Sequence, residues 1–556
     1  MAFIDWIVLV LTLAGIVTYG LYKSKHQKNL EGYFLSSRSM PWWLVLLSIM
    51  GTQASAITFL SAPGQAYTDG MRFVQYYFGL PIAMVVISAV FVPIFLRLRV
   101  MTAYEYLEQR FDLKTRTLTA FLFLVSRGLS TGISIYAPSI IISSLLSWNI
   151  YVTNVVMGGA LIIYTVSGGA RSVAYTQQLQ FVVIMTGMFI AAYMAVNLLP
   201  NVIGLAEALS TGGQLGKMNV ITSGNTGSGF DWNDKYNMWS GVIGGFFLAL
   251  SYFGTDQSQV QRFLTAKDSR QSRLGLLMNG LVKVPMQFFI LLVGVLVFAF
   301  YQYKPAPVFF NQTLVKQAMK TPQAAELSSL EQQYNALQQQ QLAFQQSGAK
   351  AVPDSIKVGY ERMQQVRKAF AVKLKEAVPS GEANDTNYIF LYFVTENLPR
   401  GLVGLLIAVI ILAAWGSIAA ALNSLASCTV VDIHHKVVRR NLDEIASYRL
   451  GWQYTLGWGI FCVAVAMFAT NMGSLIEAVN ILGSLFYGVI LGVFLVAFFL
   501  KRVGGTAVFW AAVAGELLVV TLYNMKIVSF LWLNAIGAIA VLLLAAALQL
   551  VFTRRA

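Results

Sequence analysis

Runs of about twenty apolar residues follow one another along most of the chain, with short polar turns between them. An α-helix of that length crosses about 30 Å of hydrocarbon at 1.5 Å per residue. The pattern predicts thirteen such helices, over residues 4–22, 41–64, 73–96, 118–146, 149–167, 173–199, 238–257, 274–301, 399–431, 447–469, 473–500, 505–523 and 527–550. One polar stretch, 302–398, interrupts the series. Within it LEQQYNALQQQQLAFQQ (Leu330 to Gln346) places Leu330, Tyr334, Leu337 and Leu342 at roughly helical spacing. That periodicity favours a helical cap over the disorder glutamine tracts often show.

Two of the apolar runs are unlike the rest. MGTQASAITFLSAPG (Met50 to Gly64) and GGFFLALSYFGTDQS (Gly244 to Ser258) set Gly, Ser and Thr among apolar residues, five spans apart. Small residues permit close helix packing. Paired interruptions at matching positions also mark a carrier built from inverted repeats, whose broken helices free backbone groups to line a site. A third stretch, AWGSIAAALNS (Ala414 to Ser424), puts small and hydroxylated residues where lipid-facing sequence would carry Leu, Ile and Val.

Composition agrees with a membrane chain: 57% of the 556 residues are hydrophobic and 11% charged, against about 25% charged in soluble proteins. The +15 net charge is read as the basic bias of cytoplasmic loops rather than as nucleic-acid binding. Basic residues gather in alternate loops, at Lys23, Lys25, Lys28 and Arg38, at Arg97 to Arg116, at Arg262 to Arg273, at Lys436 to Arg449, at Lys501 and Arg502, and at Arg554 and Arg555. That bias places the N-terminus outside and residues 302–398 outside. Asp5 before the first apolar run, and lysines after it, argue for a retained helix rather than a cleaved signal. Cys428 and Cys462 lie in apolar runs, which implies no disulfide framework. No metal-ligand cluster, phosphate loop or nucleophile elbow is present, so an enzyme is not expected.

The motifs QASAITFLSAPGQAYTDG (Gln53–Gly70), TAYEYLEQRF (Thr102–Phe111), TGISIYAPS (Thr131–Ser139), SGGARSVAYTQQLQ (Ser167–Gln180), DQSQVQRFLTAKD (Asp256–Asp268), LNSLASCTVVDI (Leu422–Ile433) and NILGSLFYGVILGVF (Asn480–Phe494) together resemble the sodium/solute symporter family. The first two are most similar to its iodide, monocarboxylate and vitamin branch. The resemblance covers nearly everything outside 302–398. It implies an all-α polytopic fold of about 13 helices. An extra N-terminal helix and loop (1–40) precede two inverted five-helix repeats (41–199 and 238–500), each with a broken first helix. An extracellular loop (200–237) joins the repeats, the insert 302–398 lies in the second, and trailing helices (501–556) follow. It also implies a multi-pass protein of the plasma membrane, or of the inner membrane in a bacterium, whose partners are the bilayer and a small-molecule substrate.

By the same resemblance, sodium sits between the first broken helix and the eighth core helix. The carbonyls of Gly51, Ala54 and Ala413 and a hydroxyl pair at 416 and 417 would hold it. Ser417 fits; Gly416 has no hydroxyl, so one oxygen is missing unless water, Thr52 or Ser55 supplies it. A second sodium site would need a carboxylate and hydroxyls where this chain has Gln177, Ala419 and Ala420, so it is expected to be absent. Substrate positions carry over to Thr58, Tyr76, Tyr77, Lys283 and Asn480, with Tyr252 as gate; Leu80 and Ala249 replace polar residues of the sugar carriers, which disfavours a hexose. Arg127, about nine residues and roughly 13 Å into its span, meets an anionic substrate or forms an ion pair. Asp256 and Arg262 begin a cytoplasmic turn, where a solvated loop is expected ahead of the alternative, a gating salt bridge. Arg127 and Lys283 lean the substrate towards a small organic anion or carboxylate. The alternatives are a proton-coupled or sodium-independent carrier, and a transporter-like receptor with an extracellular cap.

Overall fold

The computed structural model describes residues 1–24, 35, 38–201, 203–227, 229–346, 353–379, 381–438, 444–469 and 472–553. Among them the chain is a packed array of helices, with one antiparallel strand pair, Asn225–Thr226 against Gly229–Phe230. Eight helices are long and apolar enough to cross a membrane, and a bent pair makes a ninth; Phe3–Tyr19, Ile150–Val166 and Ser240–Gly254 are shorter apolar helices. The basic residues Lys25, Lys28, Arg439, Arg440, Arg554 and Arg555 lie outside the described residues, as do the side chains of Ser167 to Ser172.

Both interruptions are present. The first divides Trp42–Gln53 from Ala56–Asp69 with a 59° bend. The second falls at Thr255–Asp256, between Gly245–Gly254 and Gln257–Leu264. The helix then resumes because Asp256 caps it, accepting from Ser258 N at 2.8 Å. This corrects the expectation of a solvated loop: Asp256 and Arg262 are only 2% and 1% exposed. Several polar side chains after the break are paired within the protein, while Gln259 Oε1 and Arg262 Nε have no hydrogen-bond partner. Gln257 donates to Met101 O and accepts from Ala103 N, and Ser424 donates to Gln261.

A turn is expected at 168–172, yet helical hydrogen bonding runs unbroken from Ile150 to Asn197. The segment is still not one rod. Tyr164 Oη and Thr176 Oγ1 are 3.0 Å apart, whereas a straight helix would separate these residues by about 18 Å, beyond a tyrosine's reach. The chain bends sharply between them, so its two apolar stretches are distinct.

The 302–398 stretch is helical, as its periodicity predicts, with helices Gln312–Ala318, Ala324–Gln346, Pro353–Ala377 and Thr386–Asn397. Leu327, Tyr334, Phe370 and Leu374 build a core of their own. Arg367 pins this lobe, donating to Asp385 at 2.9 and 3.1 Å and to Val308 O at 3.1 Å. Directly after Asp385, the buried Thr386–Asn397 helix packs on Ala56–Asp69. The lobe therefore ends against the second half of the first broken helix, Ala56–Asp69.

Close approach of backbones sets the packing around that half. A Cβ on Gly294 would stand 2.7 Å from Pro63 Cα, and backbone on both sides cannot give way. Gly294→Ala should destabilise the protein by about 1–3 kcal/mol, whereas Gly457→Ala, facing open space, should leave it unchanged. Thermal unfolding in detergent compares the two.

Candidate functional site

The first break exposes particular backbone oxygens. Ala54 (φ −83°, ψ 70°) and Ser55 (ψ −180°) leave helical geometry. Ser55 N donates to Gln53 O, and Thr58 N to Ser55 O, both at 3.0 Å. A continuing helix would have sent those amides to Gly51 O and Ala54 O. These two carbonyls lose their ladder donors, and both belong to the set inferred from the sequence. Peptide carbonyls carry two lone pairs and no formal charge, which suits reversible cation binding.

A cavity lies against this break. The break and the following helix contribute Thr52, Gln53, Ser55, Ile57 and Thr58; the Leu113–Leu146 helix contributes Arg127, Thr131 and Ser134; the Leu402–Cys428 helix contributes Ser417, Ile418 and Ala421. Tyr76, Tyr77, Leu248, Tyr252, Ile476, Val479, Asn480 and Tyr487 complete it. Of the expected substrate and gate residues, Thr58, Tyr76, Tyr77, Arg127, Asn480 and Tyr252 meet here. Leu248, rather than Ala249, faces the space. Lys283 does not line it: fully buried, its ammonium sits 5.9 Å from the centroid of the Tyr77 ring, and Tyr77 is the residue that reaches the cavity. Sequence reasoning assigned no role to Gln53, Thr131, Ser134 and Tyr487, although each lies within or beside a quoted motif.

Ser417 Oγ donates to Ala414 O at 2.9 Å. This back-bond disposes of the hydroxyl proton and leaves the oxygen lone pairs free. Gly416 faces Gln177 and Gln180, and Gly51 also backs onto Gln177. Gln177 Nε2 donates to Thr52 Oγ1 at 3.4 Å, and Ser48 Oγ donates to Gln177 Oε1 at 3.3 Å. Ala419 and Ala420 pack with Tyr164 and Val173 in an apolar cluster.

Two contacts bound the cavity. Tyr76 Oη donates to Asn480 Oδ1 at 3.0 Å. At the other end Arg127 is ion-paired with Asp256 and donates to Tyr487 Oη at 3.3 Å, while Tyr487 Oη donates to Asp256 at 3.1 Å. The Arg127 guanidinium also lies 5.3 Å from the Tyr252 ring centroid, and Gln259 Nε2 donates to Tyr252 Oη at 2.7 Å. Arg127 is thus a cavity-lining cation already engaged by a carboxylate. Asp256, from the second break, is its partner. Among the described residues no group of three or more His, Cys, Asp or Glu side chains could hold a metal ion.

A cavity at a helix break, among membrane-length helices and ringed by hydroxyls, is an arrangement that membrane transporters use. The sequence pattern of the Sodium:solute symporter family matches residues 33–328 and 364–515, and the chain belongs to that family. It is 24% identical over 546 residues to the sodium/sialic acid symporter NanT of Aliivibrio fischeri, covering 97% of this chain and 92% of that one. The human sodium/iodide cotransporter is 30% identical over 275 residues, and sodium-coupled monocarboxylate transporter 1 of Xenopus laevis 29% over 282; each match covers half of this chain and 42% or 43% of the relative. A solved Na+-coupled sialic acid symporter, in a substrate-bound outward-open state, shares the fold with a TM-score of 0.77 at 22% identity, over 99% of this chain and 98% of that one.

The Arg127–Asp256 pair yields a test. Asp256→Asn keeps the helix cap but strands a buried guanidinium, at a cost of about 3–5 kcal/mol. Arg127→Met combined with Asp256→Asn should recover at least half of that loss. A double-mutant cycle read by thermal unfolding measures the coupling; additive losses would contradict it.

Proposed function

We propose that the protein is a secondary active transporter coupling sodium entry to symport of a small solute by alternating access. The observation that carries this reading is the first break. Gly51 O and Ala54 O are released from the helix ladder beside the cavity that Ser417 lines. In this reading sodium is held by the carbonyls of Gly51, Ala54 and Ala413 and by the Ser417 hydroxyl, between the broken helix and the Leu402–Cys428 helix. The solute occupies the adjoining space among Thr58, Tyr76, Tyr77, Arg127 and Asn480. Tyr252 closes the inner side with the Arg127–Asp256–Tyr487 cluster, and Tyr76 with Asn480 closes the outer side. Residues 41–199 and 238–500 are the inverted repeats of a thirteen-span topology with the N-terminus outside. The 302–398 lobe is an extracellular cap. Gln177, Ala419 and Ala420 offer no second sodium site, so one sodium moves per cycle.

The solute is read as a small organic anion. Arg127 is the charged residue in the cavity lining, and Thr58, Thr131, Ser134 and Tyr76 surround the same space with hydroxyls. Lys283 stands behind Tyr77, outside the lining. Among the relatives, the names of the sialic acid, monocarboxylate and iodide symporters suit an anion, and that of a sodium/glucose cotransporter does not.

Uptake into proteoliposomes tests the reading. Small carboxylates should accumulate under an inward sodium gradient and not under an equal choline gradient. Ser417→Ala should raise the sodium concentration for half-maximal uptake about tenfold or more, the loss of one ligand to a charged group being worth about 1.5–3 kcal/mol. Uptake driven equally by both gradients would remove sodium coupling.

A further inference from the structure

We propose that the side-chain carbonyl of Gln180 is a ligand of the co-transported cation, supplying the oxygen that Gly416 lacks. This rests on the reading above, that a monovalent cation sits at the first break against the Leu402–Cys428 helix.

Three observations converge on Gln180. A Cβ placed on Gly416 would lie 3.0 Å from Gln180 Oε1 and 3.2 Å from Gln177 Cγ. The glutamine oxygen thus stands beside the space a hydroxyl side chain at 416 would use, and a residue larger than glycine there would press on it. Gln180 is 2% exposed, and neither its Oε1 nor its Nε2 has a hydrogen-bond partner. Buried amides are almost always satisfied, so a carbonyl left open and aimed at this spot calls for an acceptor's partner. Gln177, one turn away and pressed against Gly51, is already engaged by Ser48 and Thr52. It forms a wall, and Gln180 is the free group.

The exchange is chemically even. A hydroxyl and an amide carbonyl are both neutral oxygen donors, so the site gains no buried negative charge and release stays possible. What changes is the element that holds the ion. The oxygen moves from the Leu402–Cys428 helix to the Ile150–Asn197 segment, so the cation ties three elements together instead of two.

The test follows thermal unfolding of the purified full-length protein in detergent. Sodium chloride is titrated against choline chloride at constant ionic strength, a folded-state ligand raising stability by mass action. Gln180→Met keeps the shape and removes the oxygen. Its sodium midpoint should rise about tenfold or more, with the unfolding temperature in choline unchanged or higher. Gly416→Ser added to Gln180→Met should restore part of the affinity. Gln180→Glu, which keeps the oxygen and adds charge, should lower the midpoint and supplies the answer if the methionine variant does not fold. A wild-type midpoint in Gln180→Met, with a raised one in Ser417→Ala, would overturn the role of Gln180 and leave the cation site standing. A sodium response unaffected by both variants, or absent from the wild type, would overturn the cation reading itself.

Discussion

Everything in this structure is organised around backbone oxygens that a helix declines to use. In hydrocarbon an unsatisfied carbonyl costs several kcal/mol, so irregular backbone survives only where protein or a polar cavity receives it. At Ala54 and Ser55 the chain accepts that cost, and the surroundings make it tolerable. Thr52, Ser55 and Ser417 bring hydroxyls to the same space. The second half of the broken helix, Ala56–Asp69, is held by the Ser269–Tyr303 helix and by Thr386–Asn397. The small residues of the Leu402–Cys428 helix let it approach closely enough to take part.

The second break does a different job. Its polar groups are consumed locally: Asp256 caps the next helix, Thr255 O accepts from Tyr104 at 2.9 Å, and Ser251 donates to Tyr487 O at 2.6 Å. The remaining capacity of Asp256 goes to Arg127 and Tyr487. A buried charge pair is weak as a source of net stability but expensive to split. That combination suits a contact that holds one conformation and must be exchanged as a unit to reach another. One break thus leaves oxygens open, and the other is locked to the cavity wall.

Much of this was legible in the sequence. Lipid thickness fixes helix length, so the apolar runs announced the helices, and Gly, Ser and Thr clusters announced both breaks. Gly51, Ala54 and Ser417 came from the family resemblance; at the break the Gly51 and Ala54 carbonyls lose their ladder donors, and the Ser417 hydroxyl bonds back to a carbonyl of its own helix. The failures have a common cause. Asp256 and Arg262 follow an apolar run and read as a loop, because one-dimensional polarity does not reveal that a partner such as Arg127, 129 positions away, will bury the carboxylate. Lys283 was placed by carrying over a position from the family resemblance, and the Tyr77 side chain takes the cavity face in front of it. Gln180, inside SGGARSVAYTQQLQ, carried no signal of its own, because its nearness to Gly416 arises from packing between separate helices.

The central claim is that the first break is a working sodium site. Equilibrium binding of radioactive sodium to the purified protein, competed with unlabelled sodium or with choline, tests it without knowledge of the solute. The account predicts saturable binding approaching one ion per chain, displaced by sodium and not by choline. Binding that never saturates, or that choline displaces equally well, would contradict it.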